Sequence, residues 1–262
     1  MKITVLAENT ACTDLPTEHG LSLYIETRNA KLLFDMGQTS LFAENAAKLG
    51  IDLQSVDLAV ISHGHYDHGG GLSTFLALND HAPVYLSRHA FDPHYNGTEK
   101  YIGLDRALTD HPRLVFTHGE TPLRRGLTLF SCNDRPRPRD LGSFGLTVWE
   151  NGIFVDDDFR HEQYLLVEED GKKILISGCS HKGVMDIVDW FRPDLLIGGF
   201  HYSKLEPGDR LADYARYLDR FDTVYYTCHC TGMDQYQFMK GYMKSLHYLS
   251  TGDTVVLDPA AL

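Results

Sequence analysis

No stretch of this chain holds eighteen consecutive apolar residues, about the length a membrane-spanning helix needs. The opening Met1-Lys2-Ile3-Thr4-Val5-Leu6-Ala7-Glu8 turns polar too early for a secretory leader. A soluble, cytoplasmic protein with no membrane partner is the expectation. Positive charge is scarce as well: 24 Lys and Arg stand against 36 Asp and Glu, for a formal charge of −12. Nucleic acid and anionic lipid both require a positive field, so neither is expected as a partner. Cysteines are few and irregularly spaced, at positions 12, 132, 179, 228 and 230. That odd number fits reduced thiols and excludes a regular disulfide framework. No strict internal repeat is present. With 262 residues the chain can bury a sizeable core, and one domain over residues 1–262 is expected.

What is there is a regular alternation of elements. Ile3 to Leu6, Leu21 to Glu26 and Lys31 to Phe34 read as strands, the last two joined by Arg28-Asn29-Ala30. Leu41, Phe42, Ala46 and Leu49 share one helical face within Thr39 to Leu49, and Gly50 stops it. Asp57 to Ser62 is a short buried strand, Leu72 to Leu78 a helix and Pro83 to Ser87 another strand. His89 to Leu104 is loop-like or weakly helical, and Leu127 to Ser131 is a strand. Tyr164 to Glu168 and Lys173 to Ser177 form a hairpin about Glu169-Asp170-Gly171-Lys172. Helices then follow at Val184 to Phe191, Leu211 to Arg220 and Gln235 to Leu249, with strands at Asp194 to Ile197 and Thr223 to Thr227 between them. Hairpins followed by strand–helix alternation, in both halves, predict an α/β (α+β) fold of two mixed sheets with helices outside.

The chemistry concentrates at Ser62-His63-Gly64-His65-Tyr66-Asp67-His68-Gly69-Gly70-Gly71, where a strand runs into four metal-ligand types within six residues. Imidazole and carboxylate suit Zn²⁺ or another borderline transition ion, and a turn-rich loop can direct alternate residues at two ions. Three histidines clustered beside a carboxylate are costly unless something occupies the centre. Later strands end in Ser177-Gly178-Cys179-Ser180-His181, Gly198-Gly199-Phe200-His201 and Thr227-Cys228-His229, with glycines at 178, 199 and 232 permitting close approach. Alternation along a strand would make His229 functional and leave Cys228 and Cys230 as packing thiols.

These residues resemble the metallo-β-lactamase superfamily, with the His-x-His-x-Asp-His run as the most specific motif and Leu32-Leu33-Phe34-Asp35 as the strand ending in a buttressing aspartate. Gly178-Cys179-Ser180-His181, Gly198-Gly199-Phe200-His201 and Cys228-His229-Cys230-Thr231-Gly232 look like the branch of 7,8-dihydropterin-6-yl-methyl-4-(β-D-ribofuranosyl)aminobenzene 5′-phosphate synthase. The resemblance implies a four-layer αββα sandwich with a metal site at one edge. It implies two divalent ions, Zn²⁺ with Mn²⁺ or Fe²⁺ as alternatives, the first on His63 and His65 and the second on Asp67, His68 and His229. Cys179 falls where most relatives place a bridging aspartate. The remaining ligand of the first ion is His161 by chemistry or Asp158 by spacing. His181 and His201 would stand near the metals as substrate ligands or proton donors.

The function this predicts is metal-dependent hydrolysis of a phosphorylated or otherwise anionic small molecule, possible pterin derivatives included. Two ions sharing one water would ionise it for attack on phosphorus or a carbonyl. Asp67 would orient that nucleophile while His201 or His181 meets the oxyanion or leaving group. Arg135, Arg137 and Arg139 are the candidate binders of the anionic group, set against a solvated Pro/Arg turn. Phe91, Tyr95 and Tyr101 serve equally as ring-stacking residues, core or a contact between copies, which leaves a homo-oligomer open. The competing classes are a di-iron redox protein and a non-catalytic metal-binding module. Redox relatives carry a glutamate where this chain has His65 and a flavin module for which it has no room, whereas Cys179 at the bridge keeps the module alive.

Overall fold

Residues 1–257 are described in the computed structural model of the chain. Period-two alternation sorts the strand residues into two populations. Leu32 and Phe34, Leu58 and Val60, Ile174 and Ile176, Leu195 and Ile197 turn inward and form one buried cluster. Between them, Leu33, Ala59 and Ile61 face Phe42, Ala46, Leu72 and Phe75. In the second half Leu166, Leu175 and Leu196 face Val184, Ile187, Phe191, Leu211, Ala215 and Met239. Two sheets therefore pack face to face with helices on both outer surfaces, which is the αββα sandwich.

The first sheet runs in the order Thr254–Val256, Lys2–Ala7, Ser22–Glu26, Lys31–Phe34, Leu58–Val60, Val84–Ser87, Leu114–Thr117. Its pairings are antiparallel up to Lys31–Phe34 and parallel beyond. The second runs Leu246–Tyr248, Val224–Thr227, Leu195–Ile197, Lys172–Ile176, Tyr164–Glu169, Leu127–Phe130, Glu120–Arg124, parallel up to Lys172–Ile176 and antiparallel after it. Asp35, His63, Cys179, His201 and His229 all follow the carboxyl ends of parallel strands. That is where open α/β sheets bind ligands, because the loops there are free of ladder pairing.

Two segments depart from the sequence reading. Residues 89–104 are neither loop nor weak helix throughout: His94–Asn96 and Lys100–Tyr101 join Leu146–Glu150 and Ile153–Asp156 in a third, four-stranded sheet. The last helix covers Met233–Lys240 only, and Leu246–Tyr248 extends as the edge strand beside Val224–Thr227. There, parallel pairing at a sheet edge overrides the local helical spacing. Among the described residues no helix is long and apolar enough to cross a membrane.

Candidate metal centre

Asp35 sits in the left-handed region at φ 59°, directly after strand Lys31–Phe34. Its Oδ1 accepts the Ser62 N–H at 2.7 Å, and its Oδ2 accepts the Ser62 hydroxyl and the His68 Nδ1–H, each at 2.7 Å. Ser62 Oγ, its own proton directed at Asp35, accepts the His63 Nδ1–H at 2.8 Å. His229 is held in the same way: its Nδ1–H donates to Asn9 Oδ1 at 2.8 Å, and that oxygen also accepts the Gly20 N–H at 3.3 Å, which fixes the amide orientation. A neutral imidazole with its proton on Nδ1 has its lone pair on Nε2. Three histidines from two separate loops are thus set as Nε2 donors.

Those donors converge. Cys179 Sγ lies 3.2 Å from His68 Nε2, and His181 Nε2 lies 3.3 Å from His63 Nε2. The ligand atoms of His63, Cys179 and His181 fall within 4.8 Å of one another, and so do those of His68, Cys179 and His229. Cys179 is common to both sets. Tetrahedral zinc with its usual Zn–N bonds separates two imidazole nitrogens by about 3.3 Å, the spacing His63 and His181 show. His229 Nε2 is 3.4 Å from Asp67 Oδ2, and His19 Nε2 is 3.2 Å from the same oxygen. His65 Nε2, His181 Nδ1, His229 Nε2 and both ring nitrogens of His201 are buried without a hydrogen-bond partner. Each such group costs about 1–3 kcal/mol, so a cluster of them is unfavourable without a ligand. Imidazole, thiolate and carboxylate donors in this arrangement fit a divalent transition metal.

Electrostatics favour the same species. Burial first, then the neighbouring histidines, holds His63, His65 and His181 well below the ordinary imidazole value. They remain neutral, as ligands must. Burial would raise Asp67, but His68 beside it and the hydrogen bond from His19 outweigh that and keep it a carboxylate. Burial and the neighbouring Cys230 push the Cys179 thiol well above its usual range, so only a cation at the centre would draw off its proton. A Cβ on Gly178 would collide with Ser62 Oγ, and one on Gly199 with Cys230 Sγ. Glycine at 178 lets the loops of the two sheets meet, and glycine at 199 lets neighbouring loops of the second sheet close on each other.

The structure places the remaining sequence candidates elsewhere. His161 is buried beside His65, but Gly64 N–H donates to its Nδ1 at 2.8 Å and its Nε2 stands 3.2 Å from Asp157 Oδ2. Asp157 also meets His94 Nδ1 at 2.9 Å; His161 Nε2 is buried without a hydrogen-bond partner, and the ligand atoms of His65, His94, Asp157 and His161 fall within 4.8 Å of one another, a second donor group that shares His65. Asp158 is paired with Arg160. None of Arg135, Arg137 and Arg139 lines the cavity over the centre. Arg139 is bound by Asp186 and Asp189, Arg137 reaches Asp158 O and Asp140, and Arg135 donates to Trp190 O over the Phe191 ring. Tyr95 and Tyr101 meet edge to face in the small sheet, and Phe91 packs into the core. Cys228 is a core thiol as expected, but Cys230 lines the cavity, because His229–Thr231 is a 3₁₀ turn and strand alternation does not apply.

The cavity measures about 290 Å³ and is lined by His65, Asp67, Cys179, His181, His201 and His229, together with Asn9, His19, Lys100 and Lys204. The last four were not legible as site residues. Neither was Glu8, a fully buried carboxylate that accepts the His229 N–H at 2.6 Å and the Tyr248 hydroxyl at 2.8 Å. The only local signal was its position as a charged residue directly after an apolar strand.

Residues 15–220 match the model of the metallo-beta-lactamase superfamily. The chain belongs to that superfamily. It is 29% identical over 240 residues to an uncharacterized protein of Methanocaldococcus jannaschii, covering 88% of this chain and 90% of that one. It is 27% identical over 286 residues to the same organism's 7,8-dihydropterin-6-methyl-4-(beta-D-ribofuranosyl)-aminobenzene-5′-phosphate synthase, covering 97% and 96%. The crystal structure of Tm1679, described as a metal-dependent hydrolase of the beta-lactamase superfamily, superposes with a TM-score of 0.84 at 29% identity, over 98% of this chain and 99% of that one. The superfamily and the synthase-like branch expected from the motifs are those found.

Proposed function

We propose that this superfamily member is a dinuclear metal-dependent hydrolase acting on a small anionic ester. One observation carries the reading: Cys179 is shared by two donor sets, and of their four histidines His63, His68 and His229 have their Nδ1 protons anchored elsewhere. His63, His65 and His181 would hold one ion, Asp67, His68 and His229 the other, with Cys179 between them. His181 replaces His161 and Asp158 in this assignment, since it faces His63 Nε2, while the Gly64 N–H occupies His161 Nδ1 and Arg160 occupies the Asp158 carboxylate. Zinc is the ion proposed, with manganese or ferrous iron as alternatives. Two such ions, when bound, lower the pKa of a shared water toward neutrality.

The chain's own residues do the rest. Asp67 Oδ2 takes the His19 N–H, which orients the carboxylate toward the centre. His201, its ring 4.2 Å from that of His181 and its nitrogens unpartnered, is placed to carry a proton to the leaving oxygen. The name of the 27% identical relative makes a pterin-linked phosphate a reasoned first substrate to try.

Metal analysis of the full chain coupled to bis(p-nitrophenyl) phosphate turnover tests the proposal. Two zinc or manganese ions per chain with turnover, lost in His63→Ala, support it. Iron with colour and no ester cleavage would favour the redox class. Silence with every metal would favour a binding module.

A further inference from the structure

Two lysines stand at the cavity with no carboxylate partner among the described residues. Lys100 comes from the small third sheet, and its Nζ lies 3.4 Å from Tyr66 Oη and 5.5 Å from that ring's centroid. Lys204 follows the His201 loop, and its Nζ donates to Phe144 O at 3.0 Å. Both are exposed and both line the cavity. The Lys100 ammonium sits at the hydroxyl end of Tyr66, the residue immediately before Asp67. It therefore stands at the far end of the Tyr66 side chain from the backbone that carries Asp67. Tyr66 packs with Ile102 and Leu146, which also line the cavity and give it an apolar strip.

We propose that Lys100 and Lys204 form a subsite for a second anionic group of the substrate, carried about one ring's length from the bond that is cut. The segment joining the two ends is flat or apolar and lies along Tyr66, Ile102 and Leu146. The inference rests on the hydrolase reading for the reacting end. A carboxylate or a phosphate satisfies the distal end equally, because an ammonium recognises either as a point charge. Lysine suits a partly solvated mouth, where the gain is moderate and salt-sensitive.

Calorimetric binding of two non-hydrolysable probes to the zinc-loaded full chain at low ionic strength tests this. Phenylphosphonate offers the reacting end alone, and 4-phosphonobenzoate adds a distal carboxylate across one ring; 1,4-benzenediphosphonate replaces that carboxylate with a phosphonate. The ditopic probes are expected to bind about fivefold more tightly or better, the size of effect two partly solvated ion pairs supply. In Lys100→Gln/Lys204→Gln the advantage should disappear while phenylphosphonate affinity stays within about twofold, neither lysine being among the proposed metal ligands. No ditopic advantage in the wild type, no binding of any probe, or an advantage untouched by the double substitution would overturn the subsite. Bis(p-nitrophenyl) phosphate turnover by the same preparations reports on the hydrolase reading separately: a lysine-dependent advantage without turnover would leave the subsite standing and remove the hydrolase.

Discussion

Asn9 Oδ1 accepts the His229 Nδ1–H at 2.8 Å across 220 positions of sequence. The same amide gives its Nδ2 proton to His19 Nδ1 at 3.4 Å, so His19 keeps its own proton on Nε2 and directs it at Asp67 Oδ2, 3.2 Å away. One side chain thereby sets the tautomers of two histidines and, through one of them, the free edge of a carboxylate.

Asn9→Leu should therefore weaken binding of one of the two ions by about 10- to 100-fold, the cost of losing a group that orients a metal ligand. The ion held by His63, His65 and His181 should be little affected. Competitive chelator titration reads both equivalents; an equal loss at both, or none, would show that the Asn9–His19 strap is merely structural.

Cys179→Asp restores the carboxylate common among relatives and should shift preference from softer to harder ions, because thiolate favours zinc and carboxylate favours manganese. The manganese-to-zinc affinity ratio should rise by about tenfold or more. With cobalt as a probe, the near-ultraviolet thiolate-to-metal absorption should vanish. Persistence of that band would mean that Cys230, which also lines the cavity, supplies the sulfur.

His181→Ala and His161→Ala separate the two ways of completing the first site. His181→Ala should lose one ion per chain by elemental analysis. His161→Ala should retain both while unfolding at lower urea, since it strips Asp157 and the Gly64 N–H of a buried partner, a loss of about 1–3 kcal/mol. The opposite pattern would return His161 to the ligand set.

Stability of the metal-free chain should fall as pH drops from 6.5 to about 4. Burial, then His94, lowers His161 from its ordinary 6.5 to about 4, and burial likewise holds His63, His65 and His181 well below the ordinary imidazole value. Within that window the unfolded chain takes up protons that the folded chain refuses, so the unfolding free energy declines toward acid. His68, raised by Asp35 and Asp67 against its burial, works in the opposite direction but is one group against four. Urea midpoints measured across that range, rising or level toward acid, would contradict the assignment of neutral imidazoles.

Much of the fold could be read from the chain because its strands are short apolar runs set off by turn residues: Leu32 to Phe34 and Ile174 to Ile176 announce strands buried on both faces without help from distant residues. The small third sheet could not, since His94–Asn96 and Lys100–Tyr101 are too short to carry a period and become strands only through Leu146–Glu150. Within the site, His63 to His68 are legible as a set because they lie in one loop. The arginines at 135, 137 and 139 misled because composition shows charge but not the carboxylates at 186 and 189 that neutralise it.

By itself, the sequence determined the kinds of ligand, the loops that carry them and the alternation that stacks two sheets, all of which are local properties of residue type and spacing. Tertiary structure alone decided that His181 faces His63, that Asn9 and Glu8 secure His229, and that Lys100 and Lys204 share one cavity. Each of those relations joins loops from different strands, and the direction of a ring nitrogen depends on a hydrogen bond whose partner lies far away along the chain.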